Sequence, residues 1–268
     1  MDSQQNLQRI AFLDTNILHY IGIYLEYAKG NALFPWSPEK STAEKESAAA
    51  RVDNLEDASL KKSLKRGLET IAFLSAQEVQ VQYAPVSELE LLNGRARGRA
   101  ILSAAKEGIP DRMWSRLREE EIRERVDTSE LTTVKDGVNG LTSLLGESGI
   151  AVRTNDRDRT RDVLELAKGI NGLIYIEAMD SIIYASALVA RADYLFTADK
   201  YLRDTVNYIC SSPNDSTPYE EIREKLRQLV GDITLGTAKG VELPSAHMIT
   251  ADGTVEPEIP TSEHQNSS

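Results

Sequence analysis

The stretch RIAFLDTNILHY, residues 9–20, decides the fold class. Its apolar run breaks off at Asp14-Thr15-Asn16, three residue types that cap helices by offering a side-chain oxygen to a free backbone N–H. Apolar side chains then recur at helical spacing from Ile17 to Tyr27. The stretch predicts a buried strand that turns directly into a helix, with Asp14 at the turn.

The same grammar recurs downstream. VQVQYAPV, residues 79–86, is β-rich and alternates at first, so it predicts a strand. Ser87-Glu88-Leu89-Glu90 then reads as an S-x-x-E capping box, which sets Glu90 in the first turn of the next helix. GIAV, 149–152, is a short strand candidate, followed by an amphipathic helix over 157–168 and a loop over 169–172. DSIIYASALVA, 180–190, predicts an apolar, small-residue helix fit to pack closely on a sheet. YLFT, 194–197, predicts a buried strand ending at Ala198-Asp199, with a short helix from Lys200. A helix over 219–230 and a weak last strand over 240–243 complete the pattern. Strands alternating with helices predict an α/β fold with a parallel sheet.

Between these blocks lie a polar surface excursion over 35–57, partly helical near 48–55, and a helix over 59–76. Residues 95–148 read as a helical insertion, broken at Gly108-Ile109-Pro110 and near Asp127-Thr128. The expected organisation is one unit over 1–250 and a polar, disordered tail over 251–268.

Composition narrows the function. The 268 residues carry 31 Lys+Arg against 42 Asp+Glu, a net charge of −11. That argues against broad coating of DNA, though not against a local basic groove. A single cysteine, Cys210, leaves neither an internal disulfide framework nor a cysteine-based zinc site. His19, His247 and His264 lie far apart, and each reads as an ordinary core or surface histidine. No apolar run reaches the roughly 18 residues of a membrane span, and the start MDSQQNLQRI lacks a signal-peptide pattern. A soluble, cytoplasmic protein is expected.

Parallel α/β sheets carry their sites beyond the C-terminal ends of the strands. Asp14 follows the first strand, Glu90 follows the second, and Asp199 follows the Tyr194–Thr197 strand. A helix of about 12 residues rises roughly 18 Å, and a returning strand of 5–6 residues covers roughly the same distance. Asp199 therefore comes back to the level of Asp180, and four acids can meet at one edge. Two carboxylates about 4 Å apart repel by roughly 4 kcal/mol at an effective dielectric of 20. Either some are protonated or a hard cation neutralises them. Oxygen ligands without Cys or His favour Mg²⁺ or Mn²⁺, which suit phosphoryl chemistry. Taken singly, each acid has a structural role open to it: N-cap for Asp14, capping-box acid for Glu90, helix-dipole partner for Asp180, turn residue for Asp199.

These blocks resemble a PIN-domain nuclease. The resemblance rests on IAFLDTNILHY (10–20), VSELELLNG (86–94), GIAVRTNDRDRTRDVLELAKGI (149–170) and MDSIIYASALVARADYLFTADKYL (179–202). It implies a three-layer α/β/α fold with a central parallel sheet, and a Mg²⁺- or Mn²⁺-dependent ribonuclease that leaves a 5′-phosphate and a 3′-hydroxyl. Asp14, Glu90, Asp180 and Asp199 become the catalytic, metal-binding acids, with Asn16 and Thr197 as supporting polar groups. Glu88 competes with Glu90, which is preferred because E-L-L-x-G is intact from Glu90. Many small bacterial members are toxins with an antitoxin partner. This chain is about twice their length, which weakens that role more than the chemistry. Tyr201 stands where some relatives place a further acid, and Asp204 is a weak substitute. A homo-oligomer is left open by the sequence.

RNA-binding groups are less legible. Arg95 and Arg97 follow Glu90 closely and could hold phosphates; Arg99, Arg112, Arg116, Arg118, Arg153, Arg157 and Arg159 are further candidates. The acids Glu119–Glu121 and Glu124 interleave with the 112–125 group, which reads equally as a salt-bridged face. Trp36 and Trp114 could stack bases or simply pack. Two rivals remain: a non-catalytic RNA or protein interaction module, and an Asp-nucleophile phosphatase of the haloacid dehalogenase type. The latter wants a second Asp two residues after the first, where this chain has Asn16.

Overall fold

The computed structural model describes residues 9–31, 42–77, 79–114, 116–153, 159–211, 218–234 and 242–258. Strand β1 (Ile10–Leu13) is buried at all four positions, as a strand covered on both faces must be. It runs directly into α1 (Thr15–Gly30), with Asp14 as the extended N-cap residue. Next come α2 (Thr42–Asp53), α3 (Ala58–Ala76) capped by Asp57, and β2 (Gln80–Tyr83). A helical run follows: α4 (Pro85–Lys106), α5 (Asp111–Trp114), α6 (Glu119–Arg125), α7 (Thr128–Asn139) and α8 (Leu141–Glu147). The C-terminal part holds α9 (Thr160–Leu173), α10 (Ala178–Val189), β3 (Tyr194–Phe196), α11 (Lys200–Ser211), α12 (Pro218–Thr234), β4 (Ser245–Ile249) and β5 (Val255–Glu256).

The sheet order is β2-β1-β3-β4-β5. β1 pairs in parallel with β2 and β3, β3 pairs in parallel with β4, and β5 is antiparallel to β4. The chain is α/β with a mostly parallel sheet. Alternate strand residues feed two cores. Ala11, Leu13, Val81 and Phe196 join α1, α3 and Leu91 on one face. Ile10, Phe12, Leu195 and Ala246 join α9, α10, α11 and α12 on the other. Helices thus cover both faces. On the first face α1 and α3 approach closely at Gly67, where a Cβ would lie 2.2 Å from the Tyr20 carbonyl oxygen.

Several boundaries differ from the sequence reading. The expected strand 79–86 ends at Tyr83, because Pro85 opens α4 at its first position and Ala84 is the N-cap. The Ser87–Glu90 capping box is therefore not formed. Glu88 is the first-turn acid, and Glu90 sits two residues further in, in the second turn. GIAV makes an isolated parallel bridge, Val81 to Val152, rather than a strand. The expected loop at 169–172 is the last turn of α9, since Gly169 serves close packing: a Cβ there would lie 2.2 Å from Leu229 Cδ2. The last parallel strand is β4 rather than 240–243. The tail expected to be disordered from residue 251 begins instead with β5, whose pairing to β4 is closed by the Thr250 N–H donating to the Thr254 carbonyl at 2.9 Å. Residues 35–41 of the surface excursion and 259–268 of the tail lie outside the described residues. Among the described residues, no single helix is long and apolar enough to cross a membrane.

Candidate active site

Chain order places β2 on one side of β1 and β3 on the other, so the connection reverses direction between β1 and β3. In open α/β sheets the crevice beyond the strand ends at such a switch point is where ligands bind. Asp14 leaves β1 there. Its backbone N–H still bonds to the Phe196 carbonyl at 2.9 Å, so it continues the ladder for one residue.

Asp14 is buried, yet both of its oxygens are occupied. Oδ1 accepts the Thr15 N–H at 2.5 Å, and Oδ2 accepts the Thr197 hydroxyl at 2.6 Å. Thr197 is wholly buried, and its Oγ1 also accepts the Asp199 N–H at 3.0 Å. One hydroxyl thus ties the first acid to the backbone of the last. Asn16 Oδ1 accepts the Ala198 N–H at 2.8 Å and fixes the start of α1 against the exit from β3. Asp199 Oδ1 accepts the Leu202 N–H at 2.9 Å, capping α11.

Asp14, Glu90, Asp180 and Asp199 line one open cleft with Thr15, Asn16, His19, Leu91, Gly94 and Ile183. Four elements contribute: the β1–α1 junction, α4, the first turn of α10, and the β3–α11 loop. Glu90 faces the cleft from the second turn of α4 and accepts the Thr15 hydroxyl. Glu88 points elsewhere: burial foremost, and with it the neighbouring Glu88 carboxylate, pushes the Tyr83 hydroxyl pKa up.

The acids feel one another. Burial raises the Asp14 pKa to about 6 against the Thr197, Thr15 and Asn16 donors, and the Glu90 charge adds to the rise. Asp180 is also raised to about 6, by burial first and then by the charges of Asp14, Asp199, Glu177 and Glu90. Even so, among the described residues no three His, Cys, Asp or Glu side chains are gathered as a metal-ligand group. The carboxylates border the cleft without converging on a point. Asp14, Glu90 and Asp199 turn oxygens to the hydroxyls and amides named above.

Two contributors escaped the sequence reading. Thr15 and His19 lie four residues apart on one face of α1, beside the acids. That spacing from Asp14 was the available signal. Burial, aided by the Arg95 charge, lowers the His19 pKa, so a neutral imidazole borders the cleft at pH 7.

The proposed phosphate-holding arginines fare differently. Arg95 is drawn into an ion pair with Glu26 and lies over Gly22 and Gly137, so its charge is spent joining α1, α4 and α7. Arg97 is exposed and lies seven residues, about 10 Å, along α4 from Glu90 on nearly the same face. Arg153 and Arg159 line a separate cavity of about 700 Å³ that contains none of the four acids, and Arg159 pairs with Asp162. Trp114 is half-buried and donates to the Ile109 carbonyl at 2.9 Å, a packing role. Asp204 pairs with Arg203 on α11 and does not line the acidic cleft. Trp36, Arg157 and His264 lie outside the described residues.

No family model, curated protein or solved structure matches the chain.

Proposed function

We propose that the chain is a divalent-metal-dependent phosphodiesterase acting on RNA, a PIN-like nuclease. The observation that supports this reading is the lining of one cleft, at the switch point of a parallel sheet, by four carboxylates from four separate elements. Caps and dipole partners have no need to border a single cleft. The all-oxygen donor set fits Mg²⁺ or Mn²⁺, with Asp14, Glu90, Asp180 and Asp199 as the residues that would hold it. When bound, such a cation polarises phosphate and supports attack by water at neutral pH.

The chain's own groups supply the rest. Thr197 and Thr15 orient Asp14, Thr15 orients Glu90, and Asn16 holds the loop that carries Asp199. Asp14 and Asp180, both with pKa about 6, give up protons near neutrality, so the cleft reaches full charge only above that pH. Incubating a mixed RNA pool with Mn²⁺ tests the proposal. Cleavage to 5′-phosphate ends that EDTA stops and Asp14→Asn abolishes supports it; intact RNA under all conditions refutes it.

The absence of a gathered three-ligand group among the described residues favours a second reading, a PIN-like interaction module without catalysis. That reading predicts RNA or protein binding that neither dication nor Asp14→Asn alters.

A further inference from the structure

Beside the acidic cleft runs a second groove, lined among others by Ile174, Lys200, Tyr201, Tyr208 and Ile209. We propose that it is a stacking platform that leads single-stranded RNA into the cleft; this deepens, and rests on, the nuclease reading. Tyr201 and Tyr208 are 54% and 55% exposed, unusual for large aromatic rings on one helix face. They are seven residues apart on α11, which sets them on the same face about 10 Å apart. Tyr175, 83% exposed, lies alongside, and its carbonyl accepts the Tyr201 hydroxyl at 3.0 Å. That bond fixes the Tyr201 ring from its far end and leaves its face open.

Three features favour a nucleic-acid strand as the occupant. The groove starts where the cleft's lining ends along the chain: Asp199 lines the cleft, and the next two residues, Lys200 and Tyr201, line the groove. Lys200 is exposed at that junction and offers a phosphate partner. The groove's acid, Asp204, is neutralised by Arg203. Aromatic faces accept any base without reading its edge, but only when the base is unstacked, so a platform of this kind selects single strands over duplexes.

Fluorescence anisotropy in EDTA reads binding apart from cleavage. The probes are a labelled single-stranded RNA of about 12 nucleotides and a blunt hairpin of the same composition. The Tyr201→Ala/Tyr208→Ala double variant should bind the single strand at least about fivefold more weakly than wild type, while Tyr201→Phe/Tyr208→Phe stays within about twofold. Hairpin binding should be equal in all three, which also shows that each variant is folded. Wild-type affinity of the Ala double variant for the single strand, equal loss on both probes, or no RNA binding by wild type would overturn the platform. A parallel Mn²⁺ cleavage assay separates the two ideas. Tyrosine-dependent binding without cleavage removes the nuclease reading alone, and cleavage with tyrosine-independent binding removes the platform alone.

Discussion

The Thr197 hydroxyl donates to Asp14 Oδ2 at 2.6 Å while accepting the Asp199 N–H, joining the ends of β1 and β3 across the switch point. The donor opposes the burial that raises the Asp14 pKa, and it is the largest of the opposing influences. The pair therefore ties the two strand ends together and holds the Asp14 pKa below where burial alone would push it.

Thr197→Val tests that role. Valine keeps the shape but cannot donate, and it leaves the Asp199 N–H without its acceptor. The variant should lose about 1–3 kcal/mol in urea denaturation. The acid limb of its RNA-cleavage profile should move to higher pH, because the buried carboxylate loses a group that favours its charged form. An unchanged limb and an unchanged midpoint would show that the bond does neither job.

Glu90 and Glu88 sit on the same helix but face different neighbours. Glu90→Gln should lower RNA cleavage by on the order of a hundredfold, and Glu88→Gln should leave it near wild type. Thr15→Val should fall between them, since it removes the donor that orients Glu90. A larger loss at Glu88 would shift the acidic site by half a turn of α4.

How much of this was legible in the sequence depends on the residue. Asp14 was, because an all-apolar strand ending at Asp-Thr-Asn admits few readings. Asp180 and Asp199 were, through the equal lengths of a helix and its returning strand. Glu90 was singled out for a capping box that the structure does not form: Pro85 starts α4 three residues earlier than a Ser87 cap would allow. The cleft position holds because one turn along a helix shifts a side chain only about 5 Å. Arg95 was misjudged because its partner, Glu26, is 69 residues away in sequence. β4 and β5 were missed because their pairing is set by tertiary context, and SAHMI carries no alternation.

Gly67→Ala probes the α1–α3 contact and leaves the cleft untouched. Its Cβ would meet the Tyr20 carbonyl oxygen at 2.2 Å and Tyr24 Cβ at 2.7 Å, and neither can swing away as a flexible side-chain end would. Overpacking of this kind costs roughly 1–3 kcal/mol. Urea denaturation should show that loss, with cleavage per folded molecule unchanged. Full stability would mean that the two helices separate freely.

The charge state of the cleft gives the last prediction. Asp14 and Asp180 have pKa about 6 in the folded protein and near 3.8 when unfolded. Between about pH 4 and 6 the native state therefore holds more protons than the unfolded chain, so this part of the stability falls as pH rises. The penalty is absent below that window and complete above it. Asp180→Asn removes one repelling charge, and no hydrogen bond of Asp180 is lost among those described. Without divalent ions the variant should melt below or level with wild type at about pH 4.5, and above it at about pH 7.5. A dication must displace the same protons, so its effect runs the other way. At a hundredfold excess over Kd it stabilises by about 2.7 kcal/mol, or roughly 5–10 °C for a chain of this size, and the gain should shrink toward pH 5. Equal ionic strength from NaCl should give little of it, and Asp180→Asn should respond less than wild type. Melts of both proteins at the two pH values, with EDTA, NaCl and Mn²⁺, measure every term. Acids serving only as caps predict a variant no more stable than wild type at any pH and no response to Mn²⁺, and a flat Mn²⁺ response in the wild type would defeat the shared site.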